Sequence, residues 1–152
     1  MRLYRDTLTG GQSLGLLVLR FVVGAAFILH GWPKIQKPTS WMGDAVPGFL
    51  QFAAAVTEFG GGIALILGLL TPLVALALAV NMAAAMMLVH IPKGHPFVGE
   101  SSYELPLVYL VLFVALSAIG PGRYSLDALL SGRMKEAEVL VHEPVRRRST
   151  AA

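Results

Sequence analysis

Four long apolar stretches, about 14–31, 49–70, 73–91 and 103–120, divide this chain, and each carries a polar group ill-suited to hydrocarbon. These groups are Arg20, then Glu58, then Asn81 with His90, then Glu104. Each stretch approaches the ~20 residues a helix needs to cross a bilayer. A charge inside such a span costs on the order of 3 kcal/mol on insertion scales. Groups that bear this cost face one another or a cavity, and they mark function by default. The pattern predicts an all-α integral membrane four-helix bundle over 14–122, with a polar interior where function must be sought.

Composition supports the same architecture. Charged residues make up 14% of the chain and hydrophobic residues 55%, with mean hydropathy +0.67, against about 25% charged in a soluble domain. The spans use most of the 152 residues and leave no room for a soluble catalytic domain. The absence of cysteine excludes a thiol relay, a disulfide framework, iron–sulfur ligation and a thiolate nucleophile within the chain. A net charge of +3, clustered at the termini, suits anionic lipid headgroups better than nucleic acid. A cleaved signal peptide is not expected, because Arg20 interrupts the first apolar run and Gly31-Trp32-Pro33-Lys34 follows it.

Prolines 33, 72 and 92 and the Gly120-Pro121-Gly122 turn read as stops just beyond the span ends. Arg2 and Arg5 precede the first span, and Arg123, Arg133, Lys135 and Arg146 to Arg148 follow the last. The long loops hold only Lys34, Lys37 and Lys93, so both termini are expected in the cytoplasm. Residues 123–143 read as a helix on the cytoplasmic surface or a solvated tail, and 144–152 as a disordered basic tail. Trp32, Trp41, Met42 and Phe49 place the first loop at headgroup level.

At ~1.5 Å per helical residue, Arg20, Glu58 and Asn81 fall into one layer near the midplane. Arg20 and Glu58 are then the expected ion pair, with Asn81 able to bond either; a purely architectural role for the pair is as well supported as a proton or substrate role for Glu58. By the same rise, His30, Lys34, His90, Lys93 and Glu104 gather at an outer mouth. His30, His90 and Glu104, with His95 and Glu100 beside them, suit a proton relay or a polar anchor for a quinone carbonyl, with metal ligation a weaker alternative. A faint repeat of His, Pro, Lys and then Glu runs through His30, Pro33, Lys34, Glu58 and again through His90, Pro92, Lys93, Glu104. Small residues such as Gly60, Gly62, Ala64 and Gly68 read as ordinary close packing between helices.

The chain resembles the DoxX family of small four-span membrane proteins. The resemblance rests on Arg20, His30-Gly31 with Lys34, Glu58 before Gly60-Gly61-Gly62, Leu67-Gly68 with Pro72, Glu104, and Gly120-Pro121-Gly122-Arg123-Tyr124-Ser125-Leu126-Asp127. It covers about residues 14–130 and leaves out the C-terminal tail. It implies a multi-pass bundle in the bacterial cytoplasmic membrane. Relatives in that family include a subunit of thiosulfate:quinone oxidoreductase and components of membrane redox complexes that handle thiol and oxidative stress.

The leading expectation is therefore a redox-associated, quinone-linked membrane subunit: a membrane oxidoreductase, or part of one. His30, Glu58 and Glu104 would handle protons, while Arg20, Lys34, Asn81 and His90 would hold the ligand. Electrons would travel through a bound quinone, another cofactor or a redox partner protein, since no thiol is present. A non-catalytic scaffold or assembly partner is the alternative. A carrier of protons or small solutes is a weaker one, and it would need a homo-oligomer. No metal site is assigned.

Overall fold

The computed structural model describes residues 8–132. Arg2 and Arg5, and the tail from Arg133 onward with its basic residues, lie outside the described residues. The described chain is helical, and no strand occurs within it. Helix α1 spans Gly10–Gln36, α2 Gly48–Leu67, α3 Thr71–Ala85 and α4 Glu104–Ile119. A five-residue π-helical turn, Met86–His90, continues α3. Three of these rods, Gly10–Gln36, Gly48–Leu67 and Thr71–His90, are long and apolar enough to cross a membrane. Helix α4 is apolar but has 16 residues, a rise of about 24 Å against a hydrocarbon core of about 30 Å.

Helix α1 begins with a reciprocal cap. Thr9 Oγ1 accepts from the Gln12 amide, and Gln12 Oε1 accepts from the Thr9 amide at 2.8 Å. These bonds satisfy two of the orphan donors of a helix start. Pro33 lies inside α1 rather than beyond it. It returns no N–H to Leu29, but the helix continues one more turn and closes with Lys37 N donating to Lys34 O at 3.1 Å. Membrane helices tolerate such a proline when other groups satisfy the freed carbonyl. The consequence is that Lys34 is a helical residue, one turn above His30, and not part of a loop.

Helices α1 and α2 run antiparallel and touch backbone to backbone. A Cβ on Gly24 would lie 2.6 Å from Gly62 O, and a Cβ on Gly62 would lie 2.6 Å from Gly24 O. Higher on the pair, a Cβ on Gly31 would meet Phe59 N at 2.6 Å. These contacts set the register: Gly31 faces Phe59, Gly24 faces Gly62 and Ile66, and Arg20 faces Gly68. The close approach is the glycine packing expected between spans, where van der Waals contact drives association.

Helices α3 and α4 form the second pair and close on the first. The core is Val23 and Phe27 from α1, Leu65 from α2, Ala75, Leu78, Ala79 and Met82 from α3, and Phe113 and Leu116 from α4. Phe27 stands edge-on to Tyr109 and to Phe113, with ring centroids 5.0 Å apart in each case. Leu16, Leu19, Val74 and Leu110 pack partly buried against the core, while many other large apolar side chains, such as Phe21, Leu29, Leu73, Val80 and Val111, point outward. That all-round apolar exterior is what a helix bundle in lipid presents.

Candidate functional site

The polar interior resolves into two separate sites rather than one layer. The first lies at the end of the α1–α2 pair where Lys34 sits. Lys34 Nζ donates to both oxygens of Glu58, each at 2.6 Å. Asn81 on α3 donates from Nδ2 to Glu58 Oε1 at 2.9 Å. Glu58 is 4% exposed, so its charge is supportable only because Lys34 cancels it and hydrogen bonds occupy its lone pairs. The Lys34 ammonium also lies 4.6 Å from the centre of the Trp41 ring, a cation–π contact.

The loop between α1 and α2 folds over this site. Buried Gln51 holds it: Oε1 accepts from Met42 N at 2.8 Å, and Nε2 donates to Gly43 O and Val46 O at 2.7 Å each. Trp41 Nε1 donates to Gln51 O at 3.1 Å, which fixes the ring above Lys34. The loop, α2 and α3 enclose a cavity of about 230 Å3. Lys34, Trp41, Gln51, Thr57, Glu58 and Asn81 form its polar part, and small or branched apolar residues of α2 and α3 complete it. Leu50, Val80 and Leu88 are both lining residues and exposed on the apolar exterior, so the cavity communicates with the flank between α2 and α3. Leu88 and Val89 belong to the π-helical turn, a local irregularity that recurs at functional sites.

The second site is centred on Arg20, which is fully buried. The expected Arg20–Glu58 pair does not form. The guanidinium donates from Nη1 to Leu65 O at 3.2 Å and from Nη2 to Tyr124 O. The α1–α2 register explains the correction, because Leu65 lies seven residues beyond Glu58, about 10 Å along α2. Asp127 supplies the nearby negative charge. Its Oδ1 accepts from Leu70 N at 2.8 Å and its Oδ2 from Thr71 N at 2.9 Å, so it caps α3 from a distance in sequence. Asp127 N donates to Gly68 O at 3.0 Å. Gly68 is the residue that makes room: its φ is +66°, and a Cβ there would lie 2.0 Å from Arg20 Nη1. Ser125 Oγ accepts from Ala128 N at 3.1 Å and starts a helical segment at 126–132.

The expected outer cluster of His30, His90 and Glu104 is not assembled. His90 Nδ1 lies 3.0 Å from His95 Nδ1, while His30 is exposed and makes an edge contact with Phe27. Glu104 is exposed in the first turn of α4, where a carboxylate favours the positive end of the helix. The His-Pro-Lys-Glu repeat is matched in sequence only: Lys34 and Glu58 pair, whereas Lys93 and Glu104 are exposed and unpaired with each other. Among the described residues no three His, Asp or Glu side chains gather as metal ligands would.

Of the seven residues singled out by sequence, the structure brings together Lys34, Glu58 and Asn81. Trp41, Gln51 and Thr57 complete that site and were not identified as part of it. Trp41 reads from sequence as an interfacial aromatic, and nothing in the pattern signals that Gln51 turns back on its own loop. Asp127 was visible only as part of the Gly-Pro-Gly-Arg-Tyr-Ser-Leu-Asp run.

The profile of the DoxX family matches residues 15–91. A Haemophilus influenzae protein of unassigned function is 40% identical over 117 residues, covering 74% of this chain and 87% of that one. The Escherichia coli inner membrane protein YqjF is 34% identical over 126 residues, covering 79% and 95% respectively. A Bacillus subtilis protein provisionally named oxidoreductase CatD is 28% identical over 109 residues, covering 69% and 80%. No solved structure matches the chain. The apolar helices, the family profile and these similarities over most of the chain together make it a multi-pass membrane protein of the DoxX family.

Proposed function

We propose that the protein is a redox-associated component of the bacterial cytoplasmic membrane, and that the Lys34–Glu58–Asn81 cavity holds the headgroup of a lipid-soluble quinone. The observation that carries this reading is a cavity with a neutralised ion pair at one end and an apolar flank at the other. The names of two relatives, an inner membrane protein and a provisional oxidoreductase, support the compartment and the reaction class. A quinone supplies two-electron, two-proton chemistry when bound.

The residues present fit such a group. Thr57, Asn81 and Glu58 offer hydrogen-bonding atoms at the polar end, and the Trp41 ring offers an aromatic face. Alanines at 54, 77, 84 and 85 leave width for a flat ring, and the flank past Leu50, Val80 and Leu88 leads an apolar tail outward. Glu58 is the carboxylate that a ligand hydroxyl or carbonyl would meet at that end, and Lys34 pairs with it. Arg20 has no part in this chemistry; it locks the opposite end of the bundle. In this reading the Arg20 end faces the cytoplasm and the Lys34 end faces outward, following the distribution of Arg and Lys.

The test is mass spectrometry of an organic extract from protein purified gently in native lipid. Wild type is compared with a Lys34→Met, Glu58→Leu double variant of equal yield. Stoichiometric quinone in wild type and its loss in the variant are expected. Ordinary phospholipid in both would contradict the reading and favour a scaffold that works through a protein partner.

A further inference from the structure

We infer that the cavity selects the reduced, dihydroxy form of its aromatic carrier over the oxidised, dioxo form. The inference rests on the reading of the cavity as a quinone-type site and adds which redox state it recognises. It follows from the hydrogen-bonding capacity that the protein leaves unspent.

Most donors lining the cavity are already committed. The Trp41 indole N–H is given to Gln51 O, and the Gln51 side-chain amide, in the first turn of α2, bonds the loop before it. The Lys34 ammonium donates to both Glu58 oxygens and otherwise faces the Trp41 ring. One Asn81 N–H is given to Glu58 Oε1. A carboxylate offers about four lone-pair positions, and Glu58 receives two bonds at Oε1 and one at Oε2. The unspent groups are then one Lys34 N–H turned toward Trp41, one Asn81 N–H, the Asn81 carbonyl oxygen and the Thr57 hydroxyl, which can donate or accept; among them the ionised acceptor is the remaining capacity of Glu58. Lys34 and Glu58 cancel in charge, so a neutral ligand leaves the balance intact.

A ligand hydroxyl donating to Glu58 makes a charge-assisted bond, roughly twice as strong as a neutral one. A quinone carbonyl in the same place sets acceptor against acceptor and leaves both without a proton. Sites built to bond a hydroxyl reject analogues that lack it far more strongly than apolar pockets reject a missing methylene. The expected preference for the dihydroxy form is therefore at least about tenfold.

Anaerobic equilibrium dialysis with the full-length protein in detergent micelles tests this. The probes are a short-chain methylated benzoquinone, its hydroquinone, and the dimethyl ether of that hydroquinone. The hydroquinone should bind at least about tenfold more tightly than the other two. Glu58→Gln should bring the hydroquinone close to the quinone. A quinone or an ether that binds wild type as tightly as the hydroquinone would overturn the inference and leave the cavity as a carrier site. Binding of none of the three would overturn both the inference and the reading beneath it.

Discussion

Lys34 on α1 reaches across to α2 and places its ammonium 2.6 Å from each carboxylate oxygen of Glu58. Two charges that would each be costly in hydrocarbon thus enter the bundle as one neutral unit, hydrogen-bonded by Asn81 and covered by Trp41.

Breaking the pair from one side should be worse than removing it altogether. Glu58→Ala leaves a partly buried ammonium without its partner and should cost about 2–3 kcal/mol, below the range for a fully buried pair. The Lys34→Met, Glu58→Leu double variant should recover most of that loss. Thermal unfolding of the two variants in detergent, against wild type, measures the difference. A double variant less stable than Glu58→Ala would show that the pair contributes beyond mutual neutralisation.

Gly68 meets two constraints at once, a left-handed backbone at φ +66° and the space for Arg20 Nη1. The backbone alone makes Gly68→Ala unfavourable by about 1–2 kcal/mol, and the clash adds to it. Arg20→Lys should not substitute for arginine, because one ammonium cannot reproduce the fork that meets Leu65 O and Tyr124 O. Folded yield of each variant after mild heating gives the readout, and wild-type yield for Gly68→Ala would contradict the packing described.

Asp127 ties the segment after α4 to the start of α3 through two backbone amides. Asp127→Ala should cost about 1–2 kcal/mol, and Asp127→Asn less, because one acceptor oxygen remains. Hydrogen exchange at Leu70 and Thr71 should quicken in both. Unchanged protection there would mean the cap is dispensable.

The chain has no cysteine, which makes its orientation simple to read. A membrane-impermeant maleimide should label Gly94→Cys in intact spheroplasts and Ser131→Cys only after permeabilisation. The opposite pattern would invert the orientation argued from Arg and Lys placement.

The helical class was legible because apolar length and proline placement speak directly of spans. The identity of the polar partners was not. Depth counted from a span end near residue 31 put Arg20 level with Glu58, but α1 runs on through Pro33 to Gln36. That single extension moves Lys34 into the helix and brings it to Glu58. The true register is written in Gly24, Gly31 and Gly62, and a glycine in sequence does not say which backbone it will meet. The Trp41–Gln51 connection was illegible for another reason: its bonds are side chain to main chain between the loop and the first turn of α2, and no periodicity announces them.

The most direct measurement is photoaffinity mapping with a diazirine-bearing quinone analogue in membranes containing the full-length protein. The cavity reading predicts adducts on peptides that include Trp41 to Glu58 or Asn81 to Val89, competed away by unlabelled analogue and lost in the Lys34→Met, Glu58→Leu variant. Adducts confined to outward-facing residues such as Phe21, Leu73 or Val111, insensitive to competition, would contradict it.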